Sequence, residues 1–331
     1  MKNYQFNNNL IGIIILTYNS INTINKAILS AKKITQNIVI VDSGSTDGTI
    51  ELAQRSACEV HFRKWSNSFA EQRNHGLKLI STEWVIMLDS DEYISMFDSE
   101  VFLNYHNNTK IGGINFIIKN ILDSGQSSTL HRYTRMFRKN NAFKYQGAIH
   151  EQIRESIENQ NYVVIDSEFE ITHSGYSEIN EEKLERNLKM LRNELDLNPE
   201  DDYIKYHLAS TYFAHNDIEK SQILFLELIS SKQLTNEQID NSYIKLAQIY
   251  LRKDNYAKVA EFLERVPNEI NLRGLRNFIL SSVLLIQKDY RVALSLMTNK
   301  DTLSSTLVNQ DIVQQAIQRL EKLNMQQKSS N

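Results

Sequence analysis

The chain has 331 residues, 41% of them hydrophobic, and its 37 basic and 40 acidic residues leave a formal net charge of −3. This length corresponds to about two domains, and the hydrophobic content supports a folded core rather than a disordered chain. The charge balance argues against a nucleic-acid-binding protein, because such proteins usually carry a basic excess.

The cysteine content and the N-terminal residues bear on location. The single cysteine, Cys58, excludes an intrachain disulfide and favours a reducing compartment. The first residues, MKNYQFNNNL, lack the basic and then apolar pattern of a signal peptide. The longest apolar run is too short for a membrane span, which needs about 20 residues. These features predict a cytoplasmic protein.

The first half of the sequence alternates short apolar runs with segments of helical spacing. The run IGIIIL is continuous and rich in β-branched residues, which indicates a strand buried on both faces. The pattern predicts strands over 11–16, 37–42, 59–63 and 83–88, with helices over 22–34, 46–57 and 69–80. This alternation of strand and helix predicts an α/β domain with a mostly parallel sheet covered on both faces.

Polar motifs follow three of these strands: TYN at 17–19, DSGSTDGT at 42–49 and DSDE at 89–92. Ligands of parallel α/β sheets bind at the carboxyl ends of strands, near a switch in strand order. Because all three motifs fall at such ends, the sequence predicts one binding site. Further strand-like runs over about 112–176 indicate a mixed sheet in the middle of the chain.

The character of the sequence changes after Tyr176, and the remainder is typical of helices. Three groups recur at the spacing of a tetratricopeptide helix pair; they are Leu208, Ala209, Tyr212 and Phe225, then Leu246, Ala247, Tyr250 and Leu263, and then Leu280, Ser281, Leu284 and Ala293. A small residue in each group would let two helices approach closely. The groups predict helical repeats, with a generic helical bundle as the alternative.

The motif DSDE brings carboxylates together at the end of a strand. Asp89 and Asp91 are two residues apart, so their side chains would point the same way and converge on one ligand. Carboxylates suit Mg²⁺ or Mn²⁺, and Mg²⁺ takes one or two of them together with substrate phosphates. The motif therefore predicts a cation that holds a diphosphate. The alternative is a helix start capped by Ser90, Asp91 and Glu92.

The loop after the second strand is rich in small polar residues. Asp42 at the strand end can accept a hydrogen bond from an imide N–H such as that of uracil, and the small residues after it allow close backbone approach. The alternative is an ordinary strand-to-helix turn with Asp47 as the cap. The glycine patterns of dinucleotide-binding enzymes and of phosphate-loop ATPases are absent from the sequence, which argues against both classes.

Four motifs in order, IIILTYNS, IVIVDSGSTDGT, FAEQRNHGL and VIMLDSDE, resemble the family 2 glycosyltransferases of the GT-A fold. The later runs RMFRKNNAFKYQGAIHEQI at 135–153 and HSGY at 173–176 resemble the branch that carries tetratricopeptide repeats. Within it the chain is similar to the sublancin-type peptide S- and O-glycosyltransferases. The resemblance implies a Rossmann-like GT-A domain over 1–178 and an all-α, TPR-like domain over 179–331.

The resemblance also implies roles for single residues. Asp91 and His173 would ligate Mg²⁺ or Mn²⁺, with a structural histidine as the alternative for His173. Glu151 stands where the family keeps a carboxylate base, and His150 is the alternative base or a metal ligand. The residues expected to bind the UDP-sugar donor are Thr17, Tyr18, Asn19, Asp42, Ser43, Arg73, Asn74, Asp89 and Ser90.

Basic residues near the predicted site leave alternatives open. Arg73 is expected to reach a donor phosphate, since a guanidinium suits phosphate geometry, or else to lie on a solvated helix face. Arg132, Arg135 and Arg138 recur at three-residue intervals, which does not place all three on one face of a strand. One of them is expected to neutralise the leaving diphosphate. For Glu151, the alternative to a base is a salt bridge with Arg135 or Arg138.

The resemblance therefore implies an inverting transferase that moves a hexose from UDP-glucose or a similar donor. The expected acceptor is a Cys, Ser or Thr side chain of a bacteriocin-type precursor peptide, and a cell-envelope polysaccharide or lipopolysaccharide core is the alternative. A non-catalytic repeat scaffold is a second alternative, against which the intact Asp89, Asp91 and Glu151 argue. The repeats would offer a concave surface to an extended peptide or form a homodimer interface. No nucleic-acid partner is expected.

Overall fold

The structure is a computed structural model that describes residues 9–122, 127–173, 181–267 and 269–330. The chain divides into two compact units, and the described residues before 174 lie almost entirely in the first, those after 180 in the second. The predicted boundary between residues 178 and 179 lies outside the described residues, as does most of the HSGY run. The division into domains 1–178 and 179–331 stays a prediction.

The first unit is built on one sheet, and its described strands follow the order β3-β2-β1-β4-β7-β6-β8-β5. Strand β1 pairs in parallel with β2 and β4, and β2 pairs in parallel with β3. Strand β7 runs antiparallel to β4, while β8 runs parallel to β6 and antiparallel to β5. The strands are β1 Ile11–Thr17, β2 Ile38–Asp42, β3 Glu59–Phe62, β4 Trp84–Asp89, β5 Glu92–Met96, β6 Ile111–Leu122, β7 Ser127–Arg138 and β8 Val163–His173.

Helices cover both faces of the parallel part of the sheet, as the apolar strand sequences predict. Along β1, Ile13 and Ile15 pack with the first helix, whereas Ile14 and Leu16 pack with the third helix on the other face. The alternation follows from the period of two residues in a strand. The helices of this unit are α1 Ile24–Ala31, α2 Thr49–Arg55, α3 Phe69–Leu79, α4 Ser99–Asn107 and α5 Arg154–Glu158.

The helix starts follow local chemistry. Ser68 caps α3 by accepting a hydrogen bond from the backbone N–H of Glu71, and Asp98 caps α4 in the same way through the N–H groups of the next turn. Helix α2 begins later than the predicted 46–57, because Gly48 at φ 93° precedes it in a left-handed conformation that suits glycine.

From residue 181 onward the described residues are helical outside the connecting turns. Its helices are α6 Glu181–Leu197, α7 Asp202–Ala214, α8 Ile218–Leu228, α9 Asn236–Arg252, α10 Tyr256–Leu263, α11 Ile270–Ile286, α12 Tyr290–Met297, α13 Lys300–Ser304 and α14 Gln310–Ser330. Consecutive helices from α6 to α12 pack on one another. This confirms the predicted architecture of a mostly parallel α/β domain followed by a helical domain.

The helix pairs α7–α8, α9–α10 and α11–α12 share one turn design. A three-residue loop joins each pair, and its middle residue has a positive φ: Asn216 at 62°, Asp254 at 53° and Lys288 at 64°. The next residue caps the second helix, because its side chain accepts a hydrogen bond from a backbone N–H in the first turn of that helix. These caps are Asp217, Asn255 and Asp289. The repeated turn gives the recurring sequence groups a structural counterpart.

The predicted repeat residues fill the space between paired helices. Leu208, Ala209 and Phe225 are buried in the first pair, and Ser221 donates a hydrogen bond to the carbonyl of Ala209 at 3.0 Å. Ser281 donates in the same way to the carbonyl of Ala293 at 2.9 Å in the third pair.

Across the described ranges we find no helix with the length and apolar character needed to cross a bilayer.

Candidate active site

The carboxyl ends of β1, β2 and β4 lie side by side. In the sheet register Thr17 pairs with Asp42, and Leu16 pairs with Asp89. The backbone N–H of Ser43 donates to the carbonyl of Thr17 at 3.1 Å, so the loop after β2 starts against the end of β1. The structure thus brings the three predicted motifs to one edge of the sheet.

The motif after β1 combines a buried hydroxyl with an exposed ring. Thr17 is 4% exposed, and its Oγ1 has no hydrogen-bond partner among the described residues. The Tyr18 side chain is 61% exposed. Asn19, at φ 45°, accepts a hydrogen bond from the N–H of Thr46 at 2.8 Å and donates its own N–H to Ser45 Oγ at 2.8 Å. Asn19 therefore ties this turn to the loop after β2.

Asp42 is fully buried and organises its own loop. Its Oδ1 accepts hydrogen bonds from the N–H groups of Gly44 and Ser45, both at 2.8 Å, and its Oδ2 accepts one from the Ser45 hydroxyl. A contact between Asp42 and a nucleotide base would need this carboxylate to be uncovered. Asp47 joins this loop to the turn after β1, because its carboxylate accepts a hydrogen bond from the backbone N–H of Ile21 at 3.0 Å.

Arg73 connects two carboxylates that are distant in sequence. Its Nη2 donates to both oxygens of Asp89, at 2.9 and 3.1 Å, and its Nε donates to Glu151. Arg73 and Glu151 are 4% and 6% exposed, so this pair is buried. Arg73 therefore does not lie on a solvated helix face. Its guanidinium is also closed off from solvent, whereas a phosphate ligand in a free site would be open to it. Its Nη1 has no hydrogen-bond partner among the described residues.

Arg135 completes this buried ion cluster, which consists of Arg73, Asp89, Glu92, Arg135 and Glu151. Its Nη2 lies 2.6 Å from Glu92 Oε1 and 3.8 Å from Asp89 Oδ2. Two guanidinium groups thus separate three carboxylates, which leaves a formal excess of one negative charge. These arginines are the positive groups that the crowded acids require.

The cluster shifts the pKa values of its acids in opposite directions. Burial alone would raise the pKa of Asp89, but the charges of Arg73 and Arg135 outweigh it and hold the value below normal. For Glu92, burial raises the pKa, and the nearby Asp89 charge adds to that rise against the opposing effect of Arg135. Asp89 is therefore the stable anion at the strand end.

The DSDE motif forms a turn between two strands. Ser90 and Asp91 lie between β4 and β5, and no helix follows them until α4 begins at Ser99. The alternative of a helix cap is therefore wrong. Ser90 donates its hydroxyl to Ser20 Oγ at 2.7 Å, which joins the DSDE turn to the turn after β1.

Asp91 and His173 lie next to each other, as a shared ligand requires. His173 Nε2 is 3.1 Å from Asp91 Oδ2. Burial lowers the pKa of His173, but its hydrogen bond with Asp91 and the neighbouring carboxylates raise the pKa above normal overall. Within the described ranges, no group of three or more His, Cys, Asp or Glu side chains is arranged to hold a metal ion. Further ligands for a cation here would come from a bound substrate or from residues outside the described ranges.

His150 and Glu151 lie in a loop rather than in the strand that was expected. An isolated bridge pairs Gln146 with Gln152, and the chain bends between them. His150 is exposed and has a φ of 54°, whereas Glu151 is buried against Arg73. The loop thus brings only Glu151 into the ion cluster, and its partner is Arg73 rather than Arg135 or Arg138.

Asn74 fixes the position of this loop. Its Nδ2 donates to the carbonyl of Tyr145 at 2.9 Å, and its Oδ1 accepts from the N–H of Tyr145 at 2.9 Å. The N–H of Phe69 also donates to the carbonyl of Ala148 at 2.7 Å. Each end of the Asn74 amide uses one of its two hydrogen-bonding positions in these contacts, so Asn74 holds the loop and still has a position at each end for a donor contact.

The other two arginines of the RMFR region lie outside the cluster. Arg132 donates to Glu168 at 3.0 Å and is partly exposed. Arg138 stacks over Trp84 at 4.6 Å and donates to the carbonyl of His106 at 2.6 Å. Arg138 is therefore held by neighbouring segments and is only partly exposed. Sequence reasoning did not assign Glu92 or Arg135 to the site, although DSDE and the arginine spacing pointed to both.

Residues 12–157 match the family model described as glycosyl transferase family 2. The match spans the ion cluster, including Glu151. This segment of the chain therefore matches a family 2 glycosyltransferase domain.

Known proteins extend this match along the chain. The SPbeta prophage-derived glycosyltransferase SunS of Bacillus subtilis (strain 168) is 23% identical over 305 residues, which are 89% of this chain and 69% of that protein. The uncharacterized glycosyltransferase RC0292 of Rickettsia conorii is 33% identical over 85 residues, 26% of this chain and 30% of that protein. Among solved structures, S. aureus TarS 1–349 matches with a TM-score of 0.42 and 16% identity, over 77% of this chain and 90% of that one.

Proposed function

We propose that the chain transfers a hexose from a UDP-sugar, with inversion, to a Cys, Ser or Thr side chain of a bacteriocin-type precursor peptide in the cytoplasm. The observation that carries this proposal is the position of Arg73 between Asp89 and Glu151. One guanidinium holds the donor-side carboxylate and the expected base within reach of each other. A displacement reaction needs its nucleophile and its leaving group aligned in this way.

The strand ends support a UDP-sugar as the donor. Tyr18 presents an exposed ring at the end of β1, which suits stacking on a base. Thr17 Oγ1 is buried without a partner among the described residues, so an oxygen or N–H of a bound donor would satisfy it. The loop that Asp42 organises contains Ser43 and Gly44, whose small size leaves room for a ribose or a diphosphate.

Asp91 and His173 fit Mg²⁺ or Mn²⁺ as a pair of ligands. Two ligands at right angles, each about 2.1 Å from Mg²⁺, are about 3 Å apart, and Asp91 Oδ2 and His173 Nε2 are 3.1 Å apart. Asp89, which the cluster keeps ionised, places a negative charge near this pair and favours a cation. Donor phosphate oxygens would complete the coordination. When bound, the cation would stabilise the charge that develops on the diphosphate.

The transfer itself needs a group that accepts the acceptor's proton. In the proposed step the thiol or hydroxyl proton passes to the Glu151 carboxylate, and sulfur or oxygen forms a bond to the anomeric carbon. The bond from that carbon to the diphosphate oxygen breaks, and its electron pair leaves with UDP. Glu151 is buried, so only a nucleophile that enters the site reaches it. Of Arg132, Arg135 and Arg138, Arg135 is the one that lies near Asp89, so it is the one that would offset negative charge on the leaving diphosphate.

A peptide acceptor is supported by the extent of the sequence match and by the second unit. The similarity to SunS covers 89% of this chain, so it extends beyond the catalytic domain into the helical repeats. Stacked helix pairs offer extended surfaces that suit a peptide chain. A thiol acceptor places the lowest demand on the base, since a cysteine with a pKa near 8.5 is already partly ionised at neutral pH.

The test uses the full chain with Mn²⁺, a panel of UDP-hexoses and short peptides that present one Cys, Ser or Thr. Intact mass spectrometry would detect the added hexose, and the anomeric proton signal of the product would report inversion. Glu151→Gln should lower the transfer rate by about 100-fold or more, while the exposed control Glu155→Gln should keep it. Equal rates in both variants would remove the base role. Transfer only to a polysaccharide would overturn the peptide acceptor.

A further inference from the structure

One face of helix α9 carries a row of polar side chains. Asn241, Lys245, Gln248 and Arg252 follow one another at intervals of four, three and four residues, so they lie on the same face of the helix. None of the four is buried. This set of four residues is named the polar strip of α9.

The polar strip lies against helix α7, the first helix of the preceding pair. Asn241 Nδ2 donates a hydrogen bond to the Tyr206 hydroxyl at 2.6 Å. Farther along the strip, Lys245 Nζ lies 4.4 Å from the centre of the Phe213 ring, and Arg252 Cζ lies 4.7 Å from the same point. The strip therefore follows the line of contact between two helices of the second unit.

The two cations of the strip have no acidic partner among the described residues. Lys245 Nζ is 3.5 Å from Gln248 Oε1, and Arg252 Nη1 donates to Asn216 Oδ1 at 3.0 Å, so both contacts are to neutral amide oxygens. Burial lowers the pKa of Lys245, and the charge of Arg252 lowers that pKa further. Two like charges thus share one aromatic ring, and an anion at this place would relieve their repulsion.

Another lysine of the same unit shows the contrast. Lys258 also lies over an aromatic ring, with its Nζ 5.8 Å from the centre of the Phe262 ring. Its charge is balanced, because Glu261 is 2.8 Å away. The absence of such an acid beside Phe213 therefore distinguishes the polar strip from an ordinary contact between a cation and a ring.

The amides of the strip indicate the kind of anion. Within the described residues, Asn241 Oδ1 and Gln248 Nε2 have no hydrogen-bond partner, which leaves an acceptor for a peptide N–H and a donor for a peptide carbonyl. Lysine and arginine bind carboxylates through charge-assisted hydrogen bonds. A row that alternates amides with cations therefore suits the backbone and the acidic side chains of an extended peptide.

We propose that the polar strip of α9 binds an acidic segment of a peptide, with Lys245 and Arg252 on its carboxylates and with Asn241 and Gln248 on its backbone. That this peptide is the acceptor of the sugar rests on the proposed function, whereas the binding itself does not. The strip would then contribute to the affinity for the acceptor and leave the chemical step to the first unit.

The test is direct binding of a short labelled peptide to the full chain, followed by fluorescence anisotropy. The probe carries three aspartates in a sequence otherwise made of glycine and serine, and a second peptide has asparagine at the same positions. The wild type should bind the aspartate peptide at least about 10-fold more tightly, with an affinity that falls as the salt concentration rises. Equal affinity for the two peptides would overturn the proposal.

Variants that each remove one charge locate the binding. Lys245→Gln and Arg252→Gln should each weaken binding of the aspartate peptide about 10-fold. The control Lys258→Gln should keep the wild-type affinity, because Glu261 already balances that charge. An equal loss in all three variants would mean general attraction to positive charge and would overturn the site. If Lys245→Gln does not fold, Arg252→Gln gives the same comparison, since the Arg252 side chain is exposed.

The proposed function and the peptide site fail in different ways. With a peptide that carries both the aspartates and one cysteine, Lys245→Gln should raise the KM of sugar transfer about 10-fold. If the aspartate peptide binds at the strip but no peptide is glycosylated, the assigned acceptor is wrong while the site stands. If peptides are glycosylated with the same KM by the wild type and Lys245→Gln, the site is wrong while the transfer stands.

Discussion

Replacing Arg73 with methionine should destabilise the first unit strongly. Methionine keeps most of the side-chain volume but removes the charge between Asp89 and Glu151. Removing one partner of a buried ion pair typically costs about 3–5 kcal/mol, because the other charge stays buried without compensation. The Arg73 and Glu151 side chains are 4% and 8% exposed, so this pair falls in the buried class. The Asp89 side chain is 33% exposed and partly hydrated, so leaving it without Arg73 adds less to the loss of stability.

Urea unfolding followed by tryptophan fluorescence measures this loss in the right part of the chain. Both tryptophans, Trp65 and Trp84, lie in the first unit, so the helical unit does not contribute to the signal. The matched control is Arg154→Met, since Arg154 pairs with Glu158 on an exposed helix face and should cost about 0.5 kcal/mol or less. A loss for Arg73→Met no larger than this control would refute the buried-pair reasoning.

A double variant tests the cause of the loss. Arg73→Met with Glu151→Gln removes the charge from both partners, so no orphan carboxylate remains at Glu151. Replacing a buried ion pair by neutral groups is often far less costly than breaking it. We therefore expect the double variant to be more stable than Arg73→Met alone. A double variant that is less stable by the full sum of both single losses would indicate that packing, not charge, dominates.

Three further changes test other parts of the structure. Gly274→Ala would place a Cβ 2.3 Å from the carbonyl oxygen of Asp301, so the helical unit should lose about 1–3 kcal/mol, measured by thermal unfolding followed by circular dichroism. Asn74→Ala removes both hydrogen bonds to the Tyr145 backbone and should cost about 1–3 kcal/mol by tryptophan fluorescence in urea; an unchanged midpoint would contradict this. Tyr18→Ala should weaken UDP binding about 5–10-fold in calorimetry with unchanged unfolding, and unchanged affinity would remove the stacking role.

The sequence predicts the parallel core well because its strands carry a strong local signal. The continuous apolar runs around Ile13 and Ile86 identify strands buried on both faces, and the rule for ligand sites in parallel sheets then points to their carboxyl ends. Thr17, Asp42 and Asp89 fall at one edge for that reason. The helical repeats follow from a fixed spacing of small and large residues.

Other features depend on contacts between segments that are far apart in the sequence. The spacing of residues along the chain does not predict such contacts. Glu92 begins a strand rather than a helix because β8, some 80 residues later, supplies its pairing partner His173. The choice of Arg135 among three evenly spaced arginines depends on which side chain faces Glu92 across the sheet. Arg73 reaches Glu151 because Asn74 and the backbone of Phe69 hold the 145–151 loop against α3.

The most direct measurement of the central claim is UDP binding by calorimetry with and without Mn²⁺, on the wild type, on Asp91→Asn and on the control Glu158→Gln. Asp91 lies beside His173 at the sheet edge, whereas Glu158 lies on an exposed helix and should not affect binding. A glycosyltransferase that holds its donor through a cation at this turn should bind UDP in a Mn²⁺-dependent way in the wild type and the control, and lose that dependence in Asp91→Asn. Equal binding by all three proteins, with or without Mn²⁺, would contradict it.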